Sequence, residues 1–239
     1  MSGLGFEPEA ILFDFFGTLV DYSSSRIEQD YHRSYKLIES MGSSLGYAQF
    51  LQAWSAQFAL FDARSEVDNS EFSMEEVSSA FLSRALGRQP SNVEISALAE
   101  SYIADWNSGV VYPAITKEVI EGLAERFRLA VVTNTHQPDL VPNHLIAMGI
   151  ADYFETVVTS VEFGWRKPHP SIYDEALRRL QVLPSGTVFV GDDFSADYVG
   201  PVAAGMTAFL LDPAAKADVP YRHRLSSLAE LPERLNLKE

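Results

Sequence analysis

The sequence contains no cysteine, and it has few basic residues for its size. Without cysteine, a disulfide framework, a thiolate metal site and a cysteine nucleophile are all excluded. Its 18 Lys and Arg residues are outnumbered by 33 Asp and Glu residues, which gives a formal net charge of -15. Nucleic-acid backbones and anionic membrane surfaces attract stripes of Lys and Arg, so this balance argues against both as partners. It does not argue against a small anionic substrate, because one or two local cations can hold a phosphate.

Long apolar runs are also missing from the chain. No segment approaches the roughly 18 consecutive apolar residues of a membrane span. The N-terminal stretch MSGLGFEPEA has no basic region and no apolar run of signal length. The composition, 46% hydrophobic and 21% charged, is that of a folded globular protein. We therefore expect a cytoplasmic protein; the composition does not define its oligomeric state.

Short apolar runs alternate with helical patterns over most of the chain. The strand-like runs are AILF at Ala10–Phe13, RLAVVTNT at Arg128–Thr135, TVVTS at Thr156–Ser160, TVFVGDD at Thr187–Asp193 and TAFLLD at Thr207–Asp212. The helical patterns between them cover roughly Lys117–Arg126, Asp139–Met148, Pro170–Gln181 and Ala196–Ala204. Continuous apolar runs are typical of parallel strands that are buried on both faces. The alternation therefore predicts an α/β fold with a doubly wound parallel sheet.

Residues 23–108 follow a different pattern, with no convincing strand. Four amphipathic stretches lie near Ser25–Met41, Tyr47–Arg64, Ser73–Leu86 and Val93–Trp106. Ser73 precedes Glu76 by three residues, which is a capping-box spacing at a helix start. Most aromatic residues of this region are expected in its core: Tyr31, Tyr35, Trp54, Phe58, Phe61, Phe81 and Trp106. We predict a helical domain at 23–108, inserted into an α/β core formed by 1–22 and 109–239.

Polar side chains stand where the predicted strands end. Asp14 follows the first strand, Thr133 and Asn134 end the second, and Asp192 with Asp193 ends a later one. In an open α/β sheet, ligands bind beyond the carboxyl ends of the strands. Acidic groups that converge on one edge repel each other unless a cation lies among them, and carboxylate oxygens suit Mg²⁺. Lys167, in the loop FGWRKPHP, is a candidate to balance the remaining charge and to hold an anionic substrate.

At these residues the chain resembles the haloacid dehalogenase-like hydrolase superfamily. DFFGTLV resembles the family's first motif, Thr133-Asn134 at the end of AVVTN the second, and Lys167 in RKPHPSIYDEAL the third. GDDFSADYVGPVAAGM, from Gly191 to Met206, is similar to the fourth motif, in which a Gly-Asp pair is followed five residues later by another Asp, here Asp197. The four motifs occur in the family's order over nearly the whole chain. The resemblance implies a Rossmann-like core, and a helical cap inserted after the first motif.

The resemblance also implies a role for each residue. Asp14 would be the nucleophile and form an aspartyl intermediate that water hydrolyses. Thr133 and Asn134 would bind the transferring group, and Lys167 would orient the nucleophile and stabilise charge. The metal ligands would be Asp14, the backbone carbonyl of Phe16 and Asp192, with Asp197 or Asp193 in support. The implied cofactor is Mg²⁺, and the implied reaction is phosphoryl hydrolysis of a small metabolite.

Phe16 departs from the phosphatase form of the first motif, in which this position is usually a second Asp that acts as general acid. A benzyl group cannot transfer a proton, and general acid–base catalysis contributes about 10²–10⁴-fold. Phosphatase activity is therefore expected to be weak or specialised. In the dehalogenases of the family an aromatic residue takes this place, and a halide leaves without protonation. The fourth motif, however, has the metal-binding form.

Three interpretations therefore stay open. The favoured one is a Mg²⁺-dependent phosphoryl hydrolase; the alternatives are a metal-independent dehalogenase of a small carboxylic acid and a non-catalytic binding protein. In the family's dehalogenases, an Arg from the early cap holds the substrate carboxylate. Arg26, Arg33 and Arg64 are available for this role, but the position after Trp54, where such an Arg is expected, is Ser55. The remaining candidates are expected to be mainly solvated or structural: His136, His169, His32, Tyr35 and Asp21.

Overall fold

The computed structural model describes residues 7–22 and 29–235. The chain divides into two compact units: one comprises Met1–Asp21 and Val111–Glu239, and the other comprises Tyr22–Val110. The predicted helical insert, 23–108, lies within the second unit. Two short strands, β2 (Asp21–Tyr22) and β3 (Val110–Val111), pair with each other where the chain passes between the units.

The first unit contains the predicted α/β fold. Its six-stranded sheet is formed by β1 (Ala10–Phe13), β4 (Arg128–Thr133), β5 (Phe154–Thr159), β6 (Thr187–Gly191), β7 (Thr207–Leu211) and β8 (Arg224–Leu225). The strands lie in the order β5-β4-β1-β6-β7-β8, and every pairing between neighbours is parallel. The chain adds strands on one side of β1 and then returns to add strands on the other side. The doubly wound parallel sheet is confirmed.

Helices of the first unit follow the strands and cover the sheet. They are α5 (Ala114–Ala124), α6 (Leu140–Met148), α7 (Ser160–Phe163), α8 (Pro170–Leu180), α9 (Gly200–Ala203) and α10 (Leu231–Arg234). One core cluster joins side chains of β1, such as Leu12, with side chains of α8, such as Ile172 and Tyr173. All four residues of β1 are buried, which explains their uninterrupted apolar character.

The second unit is helical, as its sequence predicts. Its helices are α1 (His32–Ser40), α2 (Tyr47–Asp68), α3 (Met74–Leu86) and α4 (Asn92–Asn107). The predicted aromatic core is present, with Trp54 stacked on Tyr102 and in edge contact with Phe81. The predicted capping box also forms: Glu76 N donates to Ser73 Oγ, and Ser73 N donates to Glu76 Oε2 at 2.8 Å.

Two helix boundaries differ from the prediction. The first helix of the insert begins at His32 rather than Ser25, and residues 25–28 lie outside the described part of the chain. The predicted helix Ala196–Ala204 is instead a π-helical turn at Phe194–Val199, followed by the short helix α9. Tyr173 of α8 contacts this turn, because its hydroxyl group donates a hydrogen bond to Ala196 O. Among the described residues, no helix is both long and apolar enough to cross a membrane.

Candidate active site

Asp14 lies at the point where the strand order of the sheet reverses. Its strand, β1, is flanked by β4 on one side and by β6 on the other. Asp14 N donates to Val190 O of β6 at 2.9 Å, so its backbone still bonds to the sheet and its carboxylate lies directly at the end of the strand. Thr133 ends β4 and Asp192 follows β6, so three predicted site residues share one edge of the sheet. This edge, at the switch point of a parallel sheet, is where such folds bind ligands.

The carboxylate of Asp14 is buried and held by three donors. Lys167 Nζ lies 2.7 Å from Asp14 Oδ1, and Thr133 Oγ1 donates to the same oxygen at 3.1 Å. Thr18 Oγ1 donates to Asp14 Oδ2 over 3.4 Å. An ionised carboxylate in a buried position is stabilised by such partners, which also fix its orientation.

Lys167 connects Asp14 with Asp197 at the centre of the site. Its ammonium group lies 2.6 Å from Asp197 Oδ1, and Lys167 and Asp197 are 3% and 1% exposed. Burial by itself would lower the pKa of Lys167, but the charges of Asp14 and Asp197 raise it above its ordinary value. The other oxygen of Asp197, Oδ2, accepts the backbone N–H groups of Asp192 and Asp193 at 3.1 and 3.0 Å. Asp197 therefore positions both the lysine and the turn that carries Asp192.

Asn134 holds the backbone of Lys167 with both ends of its amide. Asn134 Oδ1 accepts from Lys167 N at 2.7 Å, and Asn134 Nδ2 donates to Lys167 O at 3.0 Å. The two hydrogen bonds hold the loop that carries Lys167 (residues 163–170, the lysine loop) against the end of β4. The amide nitrogen carries a second N–H group, so this clamp is compatible with the predicted contact to substrate.

Two glycines allow the acidic residues to approach each other. Gly17 has a φ of +85°, and a Cβ atom on it would lie 2.3 Å from Asp192 Oδ2. A Cβ atom on Gly191 would lie 2.3 Å from Asp197 Cγ. Since no side chain can occupy that space, the Gly-Thr turn of the first motif and the Gly-Asp pair of the fourth depend on glycine.

The three carboxylates form a set that fits a divalent cation. One oxygen from each of Asp14, Asp192 and Asp197 lies within 4.8 Å of the others. Asp192 keeps part of its surface exposed, but the surrounding protein partly desolvates its carboxyl group; this desolvation, followed by the charge of Asp14, raises the pKa of Asp192 to about 6. Burial also raises the pKa of Asp197 to about 7, against the opposing effect of Lys167. Three carboxylates face one ammonium group, and all-oxygen donors of this kind are those that Mg²⁺ prefers.

Comparison with known proteins agrees with this geometry. Residues 8–205 match the model of the haloacid dehalogenase-like hydrolase family. The chain belongs to this family. The human haloacid dehalogenase-like hydrolase domain-containing protein 3 is 30% identical over 208 residues, which cover 81% of this chain and 79% of that protein. The glyceraldehyde 3-phosphate phosphatase of Methanopyrus kandleri is 30% identical over 200 residues, covering 83% of this chain and 81% of the phosphatase.

Solved structures of haloacid dehalogenase-like proteins share the fold over nearly the whole chain. The 2-haloacid dehalogenase from Pseudomonas syringae pv. Tomato DC3000 has a TM-score of 0.70 and 25% identity, and the match covers 96% of this chain and 98% of the dehalogenase. The putative HAD-hydrolase YfnB from Bacillus subtilis, whose structure is bound to magnesium, has a TM-score of 0.64 and 21% identity, with 97% and 100% coverage. Family members similar to this chain therefore include both named phosphatases and named dehalogenases.

Phe16 lies in an aromatic cluster next to the nucleophile position of the family. Its ring is in edge contact with Phe15 at a centroid distance of 4.9 Å and with His144 at 6.0 Å. Phe15 is fully buried. His144 Nδ1 lies 2.7 Å from the Tyr112 hydroxyl oxygen, and burial lowers the pKa of this histidine. Phe16 is thus packed against other ring side chains, Phe15 and His144.

The other sequence candidates lie in different surroundings. Asp193 caps the π-helical turn, because its Oδ1 accepts from Ala196 N at 2.7 Å. His169 stacks on Trp165 in the lysine loop. In the helical unit, the Arg64 side chain is mainly exposed and lies 3.9 Å from Glu76. His32 stacks on Tyr47 of the same unit. Arg26 lies outside the described residues.

Sequence reasoning assigned no role to three residues that shape the site. Thr18 bonds to Asp14, Tyr173 holds Ala196 O, and His144 contacts the ring of Phe16. Thr18 had a signal, because it belongs to the Gly-Thr turn of the first motif. Tyr173 and His144 sit at ordinary core positions of amphipathic helices, so their spacing gives no indication of a contact with the site.

Proposed function

We propose that this chain is a Mg²⁺-dependent phosphoryl hydrolase of small phosphorylated metabolites, with Asp14 as its nucleophile. The observation that carries the proposal is the double bridge of Lys167, which holds Asp14 on one side and Asp197 on the other. A lone carboxylate at a strand end could be structural, but here an entire buried network fixes its orientation. Relatives named as phosphatases of small phosphorylated molecules support the substrate class.

In the proposed reaction, a carboxylate oxygen of Asp14 attacks phosphorus and displaces the leaving group, and water then hydrolyses the aspartyl phosphate. Lys167 holds the attacking carboxylate and balances charge. The Thr133 hydroxyl group donates to Asp14 Oδ1 at 3.1 Å, and its single proton would turn to an oxygen of the transferring group when substrate binds. The second N–H group of Asn134 supplies another donor.

Asp14, Asp192 and the backbone carbonyl of Phe16 would hold Mg²⁺, and Asp197 would support them by ordering the turn at Asp192. When bound, the cation would offset the negative charge of the phosphoryl group and of the clustered carboxylates. The helical unit has the place in the sequence of the cap in family members with an insertion after the first motif, and we propose that it has the same role.

A second candidate is a metal-independent dehalogenase of a small carboxylic acid. The aromatic residue at position 16 favours it, because halide leaves without a proton. The similarity to the Pseudomonas dehalogenase also supports it. The acidic residues of the fourth motif favour the phosphatase instead, since a reaction that needs no cation gains nothing from clustered carboxylates.

Both candidates can be tested with p-nitrophenyl phosphate and 2-chloropropionate, each assayed with Mg²⁺ and with a chelator. Phosphate release that requires Mg²⁺ supports the proposal, and halide release that ignores the chelator would overturn it. Asp14→Asn should reduce turnover by about 10⁴-fold or more, as expected for removal of a nucleophile. The exposed residue Asp152 provides a matched control, because Asp152→Asn should leave turnover unchanged. Binding of Mg²⁺ without turnover of either substrate would indicate a non-catalytic binding protein.

A further inference from the structure

The peptide group between Ala196 and Asp197 is held by hydrogen bonds at both of its polar ends. Its oxygen, Ala196 O, accepts a hydrogen bond from the Tyr173 hydroxyl group. Its N–H group, on Asp197, donates to Asp193 O at 2.8 Å. Because a peptide group is planar, bonds at both ends restrict its rotation and, with it, the direction in which the Asp197 side chain leaves the backbone.

A proline stands where the π-helical turn would otherwise bond to Ala196 O. Gly200 N donates to Ser195 O, five residues earlier in the chain. The next bond in this register would need an N–H group at position 201, and Pro201 has none. The Tyr173 hydroxyl group, from α8, supplies a hydrogen to this oxygen instead.

Gly200 leaves room for this hydroxyl group. Its φ of -59° and ψ of -55° are ordinary helical values, so its backbone conformation does not require glycine. A Cβ atom on Gly200 would, however, overlap the Tyr173 hydroxyl oxygen. Tyr173 is fully buried, so its hydroxyl group has little freedom to move aside. The approach of this hydroxyl group to the turn therefore depends on glycine at position 200.

Asp197 carries the orientation of this peptide group to two parts of the site. Its Oδ1 lies 2.6 Å from Lys167 Nζ, which also holds Asp14. Its Oδ2 accepts the backbone N–H groups of Asp192 and Asp193 at 3.1 and 3.0 Å. A rotation of the backbone at Asp197 would therefore move both the lysine and the turn that carries Asp192.

The ring of Tyr173 contacts the site by a separate route. It is in edge contact with the ring of Phe189 at a centroid distance of 5.8 Å, and Lys167 Nζ lies 5.2 Å from the centroid of the Phe189 ring. Contacts thus run from Lys167 through Phe189 to Tyr173, and return through the turn and Asp197. Phenylalanine at position 173 would keep the ring and lose only the hydroxyl group, so the two routes can be separated.

We propose that Tyr173 is a positioning residue of the active site. Its hydroxyl group orients Asp197 through Ala196 O, and Asp197 in turn aligns Lys167 with the nucleophile and orders the turn at Asp192. This inference rests on the proposed hydrolase function and adds a residue on which the alignment of that site depends. Since Tyr173 is fully buried, it acts through Asp197 and not by contact with substrate.

The experiment compares Tyr173→Phe with the wild-type protein. In NMR spectra recorded without Mg²⁺, the amide-proton resonances of Asp192 and Asp193 should move upfield, because their hydrogen bonds to Asp197 Oδ2 weaken. With Mg²⁺ and p-nitrophenyl phosphate, kcat should fall about 10–100-fold, the range seen when the support of a site residue is lost. KM should change by less than about 3-fold, because the proposed donors to the phosphoryl group, Thr133 and Asn134, lie on β4 and directly after it.

Two controls and a second variant accompany this comparison. Tyr153→Phe also removes one hydroxyl hydrogen bond, to Glu121 Oε1 at 3.2 Å, but Tyr153 lies before β5, at the other end of the strands from Asp14. It should change neither the two resonances nor kcat. Gly200→Ala should displace the Tyr173 hydroxyl group and cause the same upfield shifts and a similar fall in kcat. Gly122→Ala is its control, because a Cβ atom on Gly122 would meet no other atom within 4 Å.

The possible outcomes separate this inference from the proposed function. Unchanged resonances and an unchanged kcat in Tyr173→Phe would overturn the positioning role and leave the hydrolase intact. Shifts without a loss of kcat, or a loss of kcat without shifts, would also overturn it. Failure of Tyr173→Phe to fold would mean that the hydroxyl group serves the fold and not the site. If the wild-type protein releases no phosphate, the proposed function is wrong, and the resonances alone decide whether Tyr173 orients Asp197.

Discussion

Lys167 Nζ lies 2.7 Å from Asp14 Oδ1, and both residues are buried although 153 positions separate them in the chain. This ion pair joins the first strand of the sheet to a loop far along the sequence. Breaking a buried pair leaves the surviving charge without compensation, which is more costly than losing an exposed pair. The stability of the first unit and the proposed catalysis thus depend on the same contact.

Lys167→Met should lower the free energy of unfolding by about 3–5 kcal/mol, because Asp14 and Asp197 would both lose their buried counter-charge. Urea unfolding measures this change. Lys117 is the matched control: it pairs with Glu121 at 3.8 Å on the surface, so Lys117→Met should cost about 0–1 kcal/mol. Equal effects of the two substitutions would contradict the buried network.

Gly17→Ala should weaken Mg²⁺ binding by about 10–100-fold, the range seen when support of a metal ligand is lost. The added Cβ atom would lie 2.3 Å from Asp192 Oδ2 and displace that carboxylate. Isothermal titration with MgCl₂ measures the affinity. Gly42 has a φ of +99°, and a Cβ atom on it would meet no other atom within 4 Å, so Gly42→Ala tests backbone strain alone. Its Mg²⁺ affinity should match that of the wild type.

Mg²⁺ should stabilise the protein more at pH 7.5 than at pH 5.5. The folded-state pKa values of Asp192 and Asp197 are raised, to about 6 and about 7, so folding disfavours their ionised forms. Without a cation, these groups favour folding when protonated, at low pH, and this contribution is lost as the pH rises through 6 and 7. A cation binds the ionised forms, so its affinity rises over the same interval and protons are released.

Thermal unfolding with and without Mg²⁺ at the two pH values measures this linkage. Asp192→Asn should abolish most of the Mg²⁺-induced shift in Tm at both pH values, because it removes one of the proposed ligands. An equal shift for the wild-type protein at pH 5.5 and 7.5 would mean that Mg²⁺ binds elsewhere.

Asn134→Asp should reduce stability by about 1–3 kcal/mol, because a carboxylate oxygen would replace the amide donor that faces Lys167 O. The other oxygen could still accept from Lys167 N, so the loss would arise from one unsatisfied contact. Chemical denaturation measures it, and turnover should fall along with the stability. Asn143 is exposed on α6, so Asn143→Asp should change neither quantity. A stable and fully active Asn134 variant would show that the clamp on the lysine loop is dispensable.

The apolar runs of the sequence predict the sheet well, because a strand that is buried on both faces needs apolar residues at consecutive positions. AILF and TVFVG are buried at every position, and both form strands of the sheet. The helix predicted at Ala196–Ala204 was wrong in part: its first half is a π-helical turn, in which Ala196 O accepts a hydrogen bond from Tyr173 of a distant helix. A local pattern contains no information about such a partner.

The sequence by itself determined the fold class, the family and the identity of the residues at the strand ends, because periodicity and motif order are properties of the chain alone. Only the tertiary structure decided which of these residues touch. It paired Lys167 with both Asp14 and Asp197, and it placed His144 against Phe16. Those contacts follow from the parallel crossovers of the sheet, which bring together segments between 30 and 153 positions apart in the chain. The chemistry open to Asp14 depends on these long-range contacts.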